Sequence, residues 1–332
     1  MLNFNSTFPA SRLRRLRRTA ALRNLNRENA LDPGFFIQAV IIRDEGDPAA
    51  IAGMAGVERH TIAEACALAE RVQAKGIGGL AIFPYTRPSD RDAAGSGAFD
   101  SGNLMCRAAE AIKAAVPDSL LIGDVALDPY TDHGHDGLMD DAGTIVNDET
   151  VARLEEQALV LARSGFDVVA PSDMMDGRIG KIRTALDREG LTDTVILSYA
   201  VKYASAFYGP YRTAVGSGGV LRGDKATYQM DPANALEGLR EAAMDVEEGA
   251  DMLMVKPGMP YLDMVTRVKD TFGLPTIAFQ VSGEYAMLRS AADAGSMDFD
   301  RGLMESLMCF RRAGADAVIT YAAERAAELL KA

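Results

Sequence analysis

Two lysines lie where predicted strands end, and their type and position suit covalent chemistry. Lys256 follows the apolar run 251–255, and Pro257-Gly258 ends that strand. Lys202 follows the apolar run 195–199 in a similar way. Burial at such a site disfavours the ammonium form and lowers the pKa of lysine, which makes its amine a nucleophile that forms Schiff bases with carbonyl compounds.

A pair of such lysines favours this interpretation over the alternative, in which each extends its ammonium into solvent. If both enter one cavity, each cation raises the free energy of charging the other, so at least one is partly neutral near pH 7. The pair predicts C–C or C–N chemistry on keto compounds. The candidate carboxylate-binding residues are Arg212, Lys225 and Gln229 on a glycine-rich connection, and the hydroxyl residues Ser282 and Tyr321 after two later strands.

An acidic segment with two histidines follows the third predicted strand. It runs from Asp124 to Asp136 and includes Asp128, His133 and His135. Carboxylate and imidazole ligands without cysteine favour a hard or borderline cation over thiolate-bound zinc. A hydrogen-bonded turn without metal explains the same residues equally well, so both interpretations are open.

The elements that must position these residues form a regular alternation after Gly34, which predicts a (β/α)8 TIM barrel. Alternating strands and helices imply parallel pairing, because parallel strands need crossover connections. An open doubly wound sheet is the alternative, but the G-x-G-x-x-G typical of its first turn is missing. In a barrel, the candidate residues gather at the carboxyl rim of the strands. The predicted strands are 35–42, 79–83, 120–127, 166–170, 195–199, 251–255, 276–281 and 315–320.

Three regions are predicted along the chain. Residues 1–34 form an N-terminal arm, residues 35–332 form the catalytic barrel, and a glycine-rich lid lies at about 203–231. The arm carries a basic stretch, residues 12–18, in a chain of net charge −12. We expect the arm to wrap an acidic neighbouring subunit, and a solvated, poorly ordered arm is the alternative.

Composition disfavours several classes of protein. A net charge of −12 and a pI of about 4.8 argue against general nucleic-acid binding. The three cysteines are far apart and form no C-x-x-C, so neither a disulfide framework nor a zinc knuckle is indicated. No apolar run is long enough for a membrane span, and none follows the N-terminal basic residues as a signal peptide requires. We expect a cytoplasmic protein without a membrane or nucleic-acid partner.

Four segments resemble the porphobilinogen synthase (5-aminolevulinate dehydratase) family, and the resemblance covers nearly the whole chain after the arm. The family joins two molecules of 5-aminolevulinate into porphobilinogen with release of two waters, in haem and chlorophyll biosynthesis. The third segment is highly specific for this family. The segments are APSDMMDGR (170–178), KYASAFYGPYR (202–212), GADMLMVKPGMPY (249–261) and QVSGEYAM (280–287).

The resemblance implies a role for each candidate residue. Lys256 and Lys202 would be the two Schiff-base lysines, and Lys256 would hold the substrate that supplies the propionate side of the product. Lys202 would also remove the last proton before the ring becomes aromatic, with Asp124 as its orienting group. Tyr203 and Tyr211 replace the usual phenylalanines and could add hydrogen bonds. The implied carboxylate ligands are Ser282 and Tyr321 for the first substrate, and Arg212, Lys225 and Gln229 for the second.

The resemblance also bears on metals and assembly. Zinc-dependent members have three cysteines where this chain has Ala126, Asp128 and Asp136, so zinc is not expected and the two aspartates are candidate metal ligands. The chain is similar to the aspartate-rich branch, often stimulated by magnesium, and Glu241 matches the family's allosteric magnesium ligand. A monovalent cation or no metal are the alternatives, and no organic cofactor is expected. The family implies a homo-octamer of arm-hugging dimers, in balance with a hexamer.

Two other functions fit parts of the sequence. A class I aldolase-like barrel would need one Schiff-base lysine and usually a phosphate site. An inactive barrel could serve as a scaffold, although the pair of lysines and the lid residues argue against that function.

Overall fold

The computed structural model describes residues 7–331, in which eight parallel strands close into a barrel. Nearly all strand residues are buried, because helices cover the outer face and side chains fill the interior. The first strand pairs in parallel with the last, which closes the barrel and confirms the predicted (β/α)8 fold. The barrel strands are β1 (Phe36–Ile42), β3 (Gly79–Pro84), β4 (Leu121–Val125), β5 (Val168–Pro171), β6 (Val195–Lys202), β7 (Met252–Lys256), β8 (Thr276–Phe279) and β9 (Ala317–Thr320); the two-residue strand β2 (Arg59–His60) pairs with the end of β1.

Helices follow the barrel strands, and the long ones bury an apolar face against the barrel. Local sequence fixes some of their ends. Thr61 and Glu64 form a capping box that starts α2, and Gly76 ends that helix with φ +73°. The helices are α1 (Ala20–Leu25), α2 (Ile62–Lys75), α3 (Leu104–Ala115), α4 (Asn147–Arg163), α5 (Arg178–Arg188), α6 (Gly209–Ala214), α7 (Leu236–Glu247), α8 (Leu262–Phe272), α9 (Ser282–Asp293), α10 (Phe299–Arg312) and α11 (Ala323–Leu329).

One strand is longer than its apolar run predicts. The run 195–199 ends at Tyr199, but β6 continues to Lys202. Its pairing with β7 is irregular between Ser198 and Val201, after which Lys202 lies opposite Lys256. This irregularity therefore aligns the two lysines on neighbouring strands.

The arm is the part of the chain that packs least. Residues 1–6 of the predicted arm lie outside the described residues, and none of residues 7–34 is buried. Its apolar side chains are exposed, with Phe8 at 74% and Leu25 at 81%. From residue 7 to residue 331, the longest and most apolar helices fall short of what a membrane span needs.

Candidate active site

Lys202 and Lys256 lie side by side at the carboxyl rim of the barrel. They are paired residues at the ends of β6 and β7, and each is only 5% exposed. Both line one cavity, as the sequence predicts. The other residues that line it are Asp128, Asp136, Ser172, Tyr208, Tyr211, Arg212, Lys225 and Gln229.

Lys256 has an apolar, aromatic environment. Burial lowers the pKa of Lys256 to about 7, the cation of Lys202 adds to this, and nearby carboxylates oppose it. A large fraction of the amine is therefore neutral at pH 7, as imine formation requires. This cage of rings was not foreseen from the sequence, since its members come from separate segments. The Lys256 Nζ lies 4.9 Å from the ring centroid of Tyr199, 5.5 Å from that of Tyr208, 5.2 Å from that of Tyr211 and 4.8 Å from that of Phe279.

Lys202 has a polar environment instead. Its Nζ donates to Asp136 Oδ1 at 3.2 Å and to the carbonyl oxygen of Ser172. Burial would raise the pKa of Asp136, but the cations of Lys202 and Lys225 outweigh it and hold that pKa well below its usual range. Lys202 is therefore paired with an ionised carboxylate, whereas Lys256 is surrounded by aromatic rings.

The acidic segment after β4 binds a lysine. Lys225 Nζ lies 2.6 Å from Asp136 Oδ2 and 3.4 Å from Asp128 Oδ2. Burial alone would lower the pKa of Lys225, yet the two carboxylates raise it. The Lys225 ammonium thus pairs with both aspartates of this segment.

The same segment holds the lid against the barrel. His135 Nε2 lies 2.7 Å from the carbonyl oxygen of Arg222, and its Nδ1 lies 3.0 Å from the hydroxyl of Tyr228. The Tyr228 hydroxyl also donates to Asp136 at 2.9 Å. With the lid in this position the cavity has about 20 Å³ of free space, room for about one water molecule. Substrate entry therefore requires the lid to move.

Asp124 lies near the end of β4, as predicted, but its hydrogen-bonding environment differs from the one expected. It is not the hydrogen-bonded partner of Lys202 within the described chain, where Asp136 and Ser172 have that place. Instead, one carboxylate oxygen of Asp124 is buried without a hydrogen-bond partner among residues 7–331. Burial raises the pKa of Asp124 to about 6, although the Lys256 cation opposes this. Asp124 can therefore exchange a proton near neutral pH.

The predicted carboxylate ligands fall into two groups. Arg212, Lys225 and Gln229 line the lysine cavity. Ser282 and Tyr321 lie beside it: Ser282 Oγ accepts from the Tyr211 backbone N–H at 2.9 Å. The Tyr321 hydroxyl is buried and has no hydrogen-bond partner in the described part of the chain. Tyr321 is within reach of the site, since its ring lies 6.2 Å from that of Phe279, one of the rings around Lys256.

The two unusual tyrosines do different things. Tyr203 donates to the carbonyl oxygen of Asn234 at 2.9 Å, so one predicted extra hydrogen bond is present. Its ring also stacks on that of Tyr261, with centroids 4.1 Å apart. Tyr211 contributes its ring to the cage around Lys256.

Glu241 lies on α7, away from the lysine cavity. It lines a separate cleft of about 640 Å³ together with Asp176 and Glu237. Burial raises the pKa of Glu241, Arg178 opposes this, and the neighbouring acids add to it. Within residues 7–331, no three His, Cys, Asp or Glu side chains converge closely enough to hold a metal by themselves.

Glu284 is a buried residue of the site that sequence reasoning missed. Its carboxylate accepts from the backbone N–H groups of Val281, Gly258 and Met259. These bonds tie the turn after Lys256 to the first turn of α9. Burial raises the pKa of Glu284 to about 8. Its place in the segment QVSGEYAM was the available signal, but no local pattern indicates a bond to a turn 25 residues earlier.

The known proteins that this chain resembles in sequence belong to one family. The family model described as delta-aminolevulinic acid dehydratase matches residues 10–329. Delta-aminolevulinic acid dehydratase from Bradyrhizobium diazoefficiens is 55% identical over 323 residues, 97% of this chain and 91% of the relative. The enzyme of that name from Rhodobacter capsulatus is 51% identical over 326 residues, 98% of each chain.

A solved structure gives the same result for the fold. The crystal structure of delta-aminolevulinic acid dehydratase (porphobilinogen synthase) from Toxoplasma gondii, in complex with the reaction product porphobilinogen, superposes with a TM-score of 0.94. The two chains are 47% identical, and the match covers 96% of this chain and 91% of the other.

Proposed function

Since this chain belongs to the delta-aminolevulinic acid dehydratase family, we propose that Lys256 and Lys202 carry its chemistry as two Schiff-base lysines. The enzyme is a porphobilinogen synthase, a lyase that condenses two molecules of 5-aminolevulinate with loss of two waters in tetrapyrrole synthesis. This assignment rests on one observation: the two lysines lie side by side in one buried cavity.

The first substrate binds at Lys256. The neutral amine attacks the ketone carbon, and loss of the ketone oxygen as water leaves a Schiff base. Ser282 and Tyr321 hold this substrate's carboxylate. The buried hydroxyl of Tyr321, which has no hydrogen-bond partner among residues 7–331, supports this role. Ser282 Oγ accepts from the Tyr211 N–H and can still donate its own hydroxyl hydrogen to the carboxylate.

The second substrate binds at Lys202. An iminium at Lys256 places a cation beside Lys202, which favours loss of the Lys202 proton. Asp124 is our candidate to take that proton: burial raises its pKa to about 6, and the Lys202 cation is near enough to lower that pKa. The second ketone then loses its oxygen as the second water. Arg212, Lys225 and Gln229 line this part of the cavity and bind the second carboxylate.

The C–C bond and the ring-closing C–N bond then form from the two imines and a substrate amine. Removal of a proton next to one imine gives an enamine, whose carbon attacks the other imine carbon. The lysine amine on the attacked carbon leaves as the neighbouring carbon loses a proton. A substrate amine then attacks the other imine carbon, displaces the second lysine amine and closes the ring. Lys202, free again, removes the final proton so that the ring becomes aromatic. The closed lid excludes water and protects the imines from hydrolysis.

We propose magnesium as an allosteric ion at Glu241, and no zinc. Glu241, Asp176 and Glu237 line one cleft, so their mutual repulsion fits a hydrated cation that neutralises them. When bound, the ion would supply charge neutralisation near a subunit interface. Asp128 and Asp136 do not fit a metal site, because Lys225 pairs with both carboxylates and Lys202 pairs with Asp136. No step of the reaction is assigned to a metal there, and a monovalent cation or no metal are alternatives for the whole protein.

We also propose a homo-octamer of arm-hugging dimers in the cytoplasm. The exposed apolar residues of the arm, such as Phe8 and Leu25, and its basic stretch support the assembly, because a partner of net charge −12 would cover both. Three free cysteines support a reducing compartment.

Porphobilinogen formation by the purified protein tests the proposal. We expect turnover of 5-aminolevulinate after chelator treatment, faster with added magnesium and no faster with zinc. Borohydride reduction followed by peptide mapping should place trapped substrate on Lys256. Absence of both product and adduct under every metal condition would contradict the function. An aldolase-like enzyme would instead keep most of its turnover when Lys202 is replaced.

A further inference from the structure

A buried arginine outside the lysine cavity contacts the lid helix that carries Arg212. Arg59, in the short strand β2, is 4% exposed. Its Nε donates to the carbonyl oxygen of Ala214 and its Nη2 to that of Thr213, both at 2.7 Å. These are the last two residues of α6.

The other side of the Arg59 guanidinium is tied to the barrel. Its Nη1 donates to the carbonyl oxygens of Pro48 and Ala50, both at 2.8 Å. Its plane lies over the Tyr85 ring, 4.4 Å from the centroid. One planar group therefore joins the loop after β1, the end of β3 and the end of the lid helix, which the single ammonium of a lysine cannot reproduce.

A second arginine holds the next residue of the lid. Arg91 Nη2 donates to the carbonyl oxygen of Val215 at 2.8 Å and to that of Thr86 at 3.0 Å. The backbones are closely packed here, because a Cβ on Gly216 would lie 2.9 Å from the Thr86 carbonyl oxygen. Three successive carbonyl groups at the end of α6 are thus held by buried arginines. We call Arg59 and Arg91 the α6 anchor.

The anchor matters because α6 is too short to keep its position alone. It has six residues, and isolated helices of fewer than about 12 residues are marginal in water. Arg212 and Tyr211 directly precede the anchored residues 213–215, and both line the lysine cavity. The lid therefore has a fixed part that ends near Val215, and the part that must move for substrate entry follows it.

We infer that Arg59 is a positioning residue for the second substrate: through the end of α6 it sets where the Arg212 guanidinium meets that substrate's carboxylate, and Arg91 assists it. The inference rests on the proposed function of Arg212. Arg59 itself does not line the lysine cavity. The first substrate, held by Lys256, Ser282 and Tyr321, should be affected much less.

The test uses the full-length enzyme with Arg59→Lys, and Arg91→Lys as a second variant. The rate of porphobilinogen formation is divided by the number of Lys256 sites that borohydride traps at low substrate concentration. Misfolded protein therefore does not contribute to the normalised rate. We expect the half-saturating concentration of 5-aminolevulinate to rise about tenfold or more in Arg59→Lys, since small misplacements of binding groups have effects of this size or larger. Trapping at Lys256 should keep its normal substrate dependence. If Arg59→Lys yields no trapped sites, Arg91→Lys decides by the same criterion.

A matched control and a double mutant sharpen the result. Arg311 also donates to a backbone carbonyl and lies over an aromatic ring, Phe35, but far from the lid in the fold, so Arg311→Lys should leave half-saturation unchanged. In an Arg212→Ala background, Arg59→Lys should change half-saturation less than about twofold, because coupled residues are not additive. Two results would overturn the inference. In one, Arg59→Lys has fewer trapped sites but an unchanged half-saturating concentration of 5-aminolevulinate. In the other, the effects of Arg59→Lys and Arg212→Ala on that concentration are fully additive. An inactive wild-type enzyme would instead contradict the proposed function itself.

Discussion

At the residue scale, two chemically identical lysines have different environments. Lys256 is surrounded by aromatic rings, whereas Lys202 is paired with the ionised Asp136. A nucleophile must be neutral and a proton carrier must be able to hold a proton, so this division suits the two proposed roles. The lid lysine, Lys225, completes the contrast as a fully paired cation.

Replacing each lysine should separate their roles. In Lys256→Met, we expect loss of the borohydride adduct and a fall in porphobilinogen formation by several orders of magnitude, because no neutral amine remains. In Lys202→Met, the adduct on Lys256 should persist while turnover is lost. Lys113→Met is the control, since Lys113 pairs with Asp167 outside the site. Normal turnover in Lys202→Met would contradict a two-lysine mechanism.

The low pKa of Lys256, about 7 because of burial, predicts that activity and stability both rise with pH, in different pH ranges. Imine formation should slow as pH falls through 7, since the amine becomes protonated. Between pH 7 and about 10.5 the unfolded chain binds more protons at Lys256 than the folded chain does. The free energy of unfolding therefore increases with pH over this range. Lys256→Met should thus be more stable than wild type at pH 7, with the difference shrinking towards pH 10.5. Chemical denaturation across this range measures it, and a pH-independent difference would contradict the prediction.

At the element scale, strand ends and the turns after them place the reactive groups. The irregular pairing of β6 and β7 puts Lys202 beside Lys256. The turn after Lys256 is confined, because a Cβ on Gly258 would lie 2.9 Å from the Phe279 carbonyl oxygen. Glu284 then fixes this turn to α9. The position of Lys256 relative to Ser282 thus depends on contacts between elements.

Removing the Glu284 carboxylate should loosen that connection. We expect Glu284→Ala to lower the free energy of unfolding by about 1–3 kcal/mol, because buried N–H donors lose their acceptor. It should also reduce substrate trapping per folded molecule. Glu64→Ala is a matched control: Glu64 accepts the Thr61 N–H in a capping box on the barrel exterior. Equal trapping in both variants would show that Glu284 stabilises the fold without positioning the site.

At the scale of the whole molecule, the described chain leaves apolar surface for a partner. Exposed apolar side chains occur in the arm and also on α7, where Leu236 is 72% exposed and Met244 51% exposed. Contiguous exposed apolar surface often marks protein–protein contacts. This distribution agrees with the proposed octamer, in which arms cover neighbouring barrels.

Deleting residues 1–34 should therefore reduce the assembly while leaving the barrel folded. None of residues 7–34 is buried within the chain, so the barrel loses little of its own core. Analytical ultracentrifugation should show a species smaller than that of the full chain, and circular dichroism should show retained helix and strand content. Unchanged mass after deletion would contradict a role of the arm in assembly.

The sequence by itself determined the barrel, and it identified the two lysines and most of the candidate carboxylate-binding residues that line their cavity. Eight apolar runs and the residues at their ends are local signals, and parallel closure places the ends at one rim. The four segments that resemble the family are local too. For these reasons Lys202, Lys256, Arg212, Lys225 and Gln229 were all found and all line one cavity.

Only the tertiary structure decided how these groups are charged and held. The aromatic cage of Lys256 and the Asp136 contacts of Lys202 join residues far apart in sequence. Arg59 contacts α6 across more than 150 positions. Asp124 was expected to orient Lys202, whereas the carboxylate that accepts a hydrogen bond from Lys202 in the described chain is that of Asp136. Burial and charge pairing depend on the neighbours in space, and a sequence pattern describes only the neighbours along the chain.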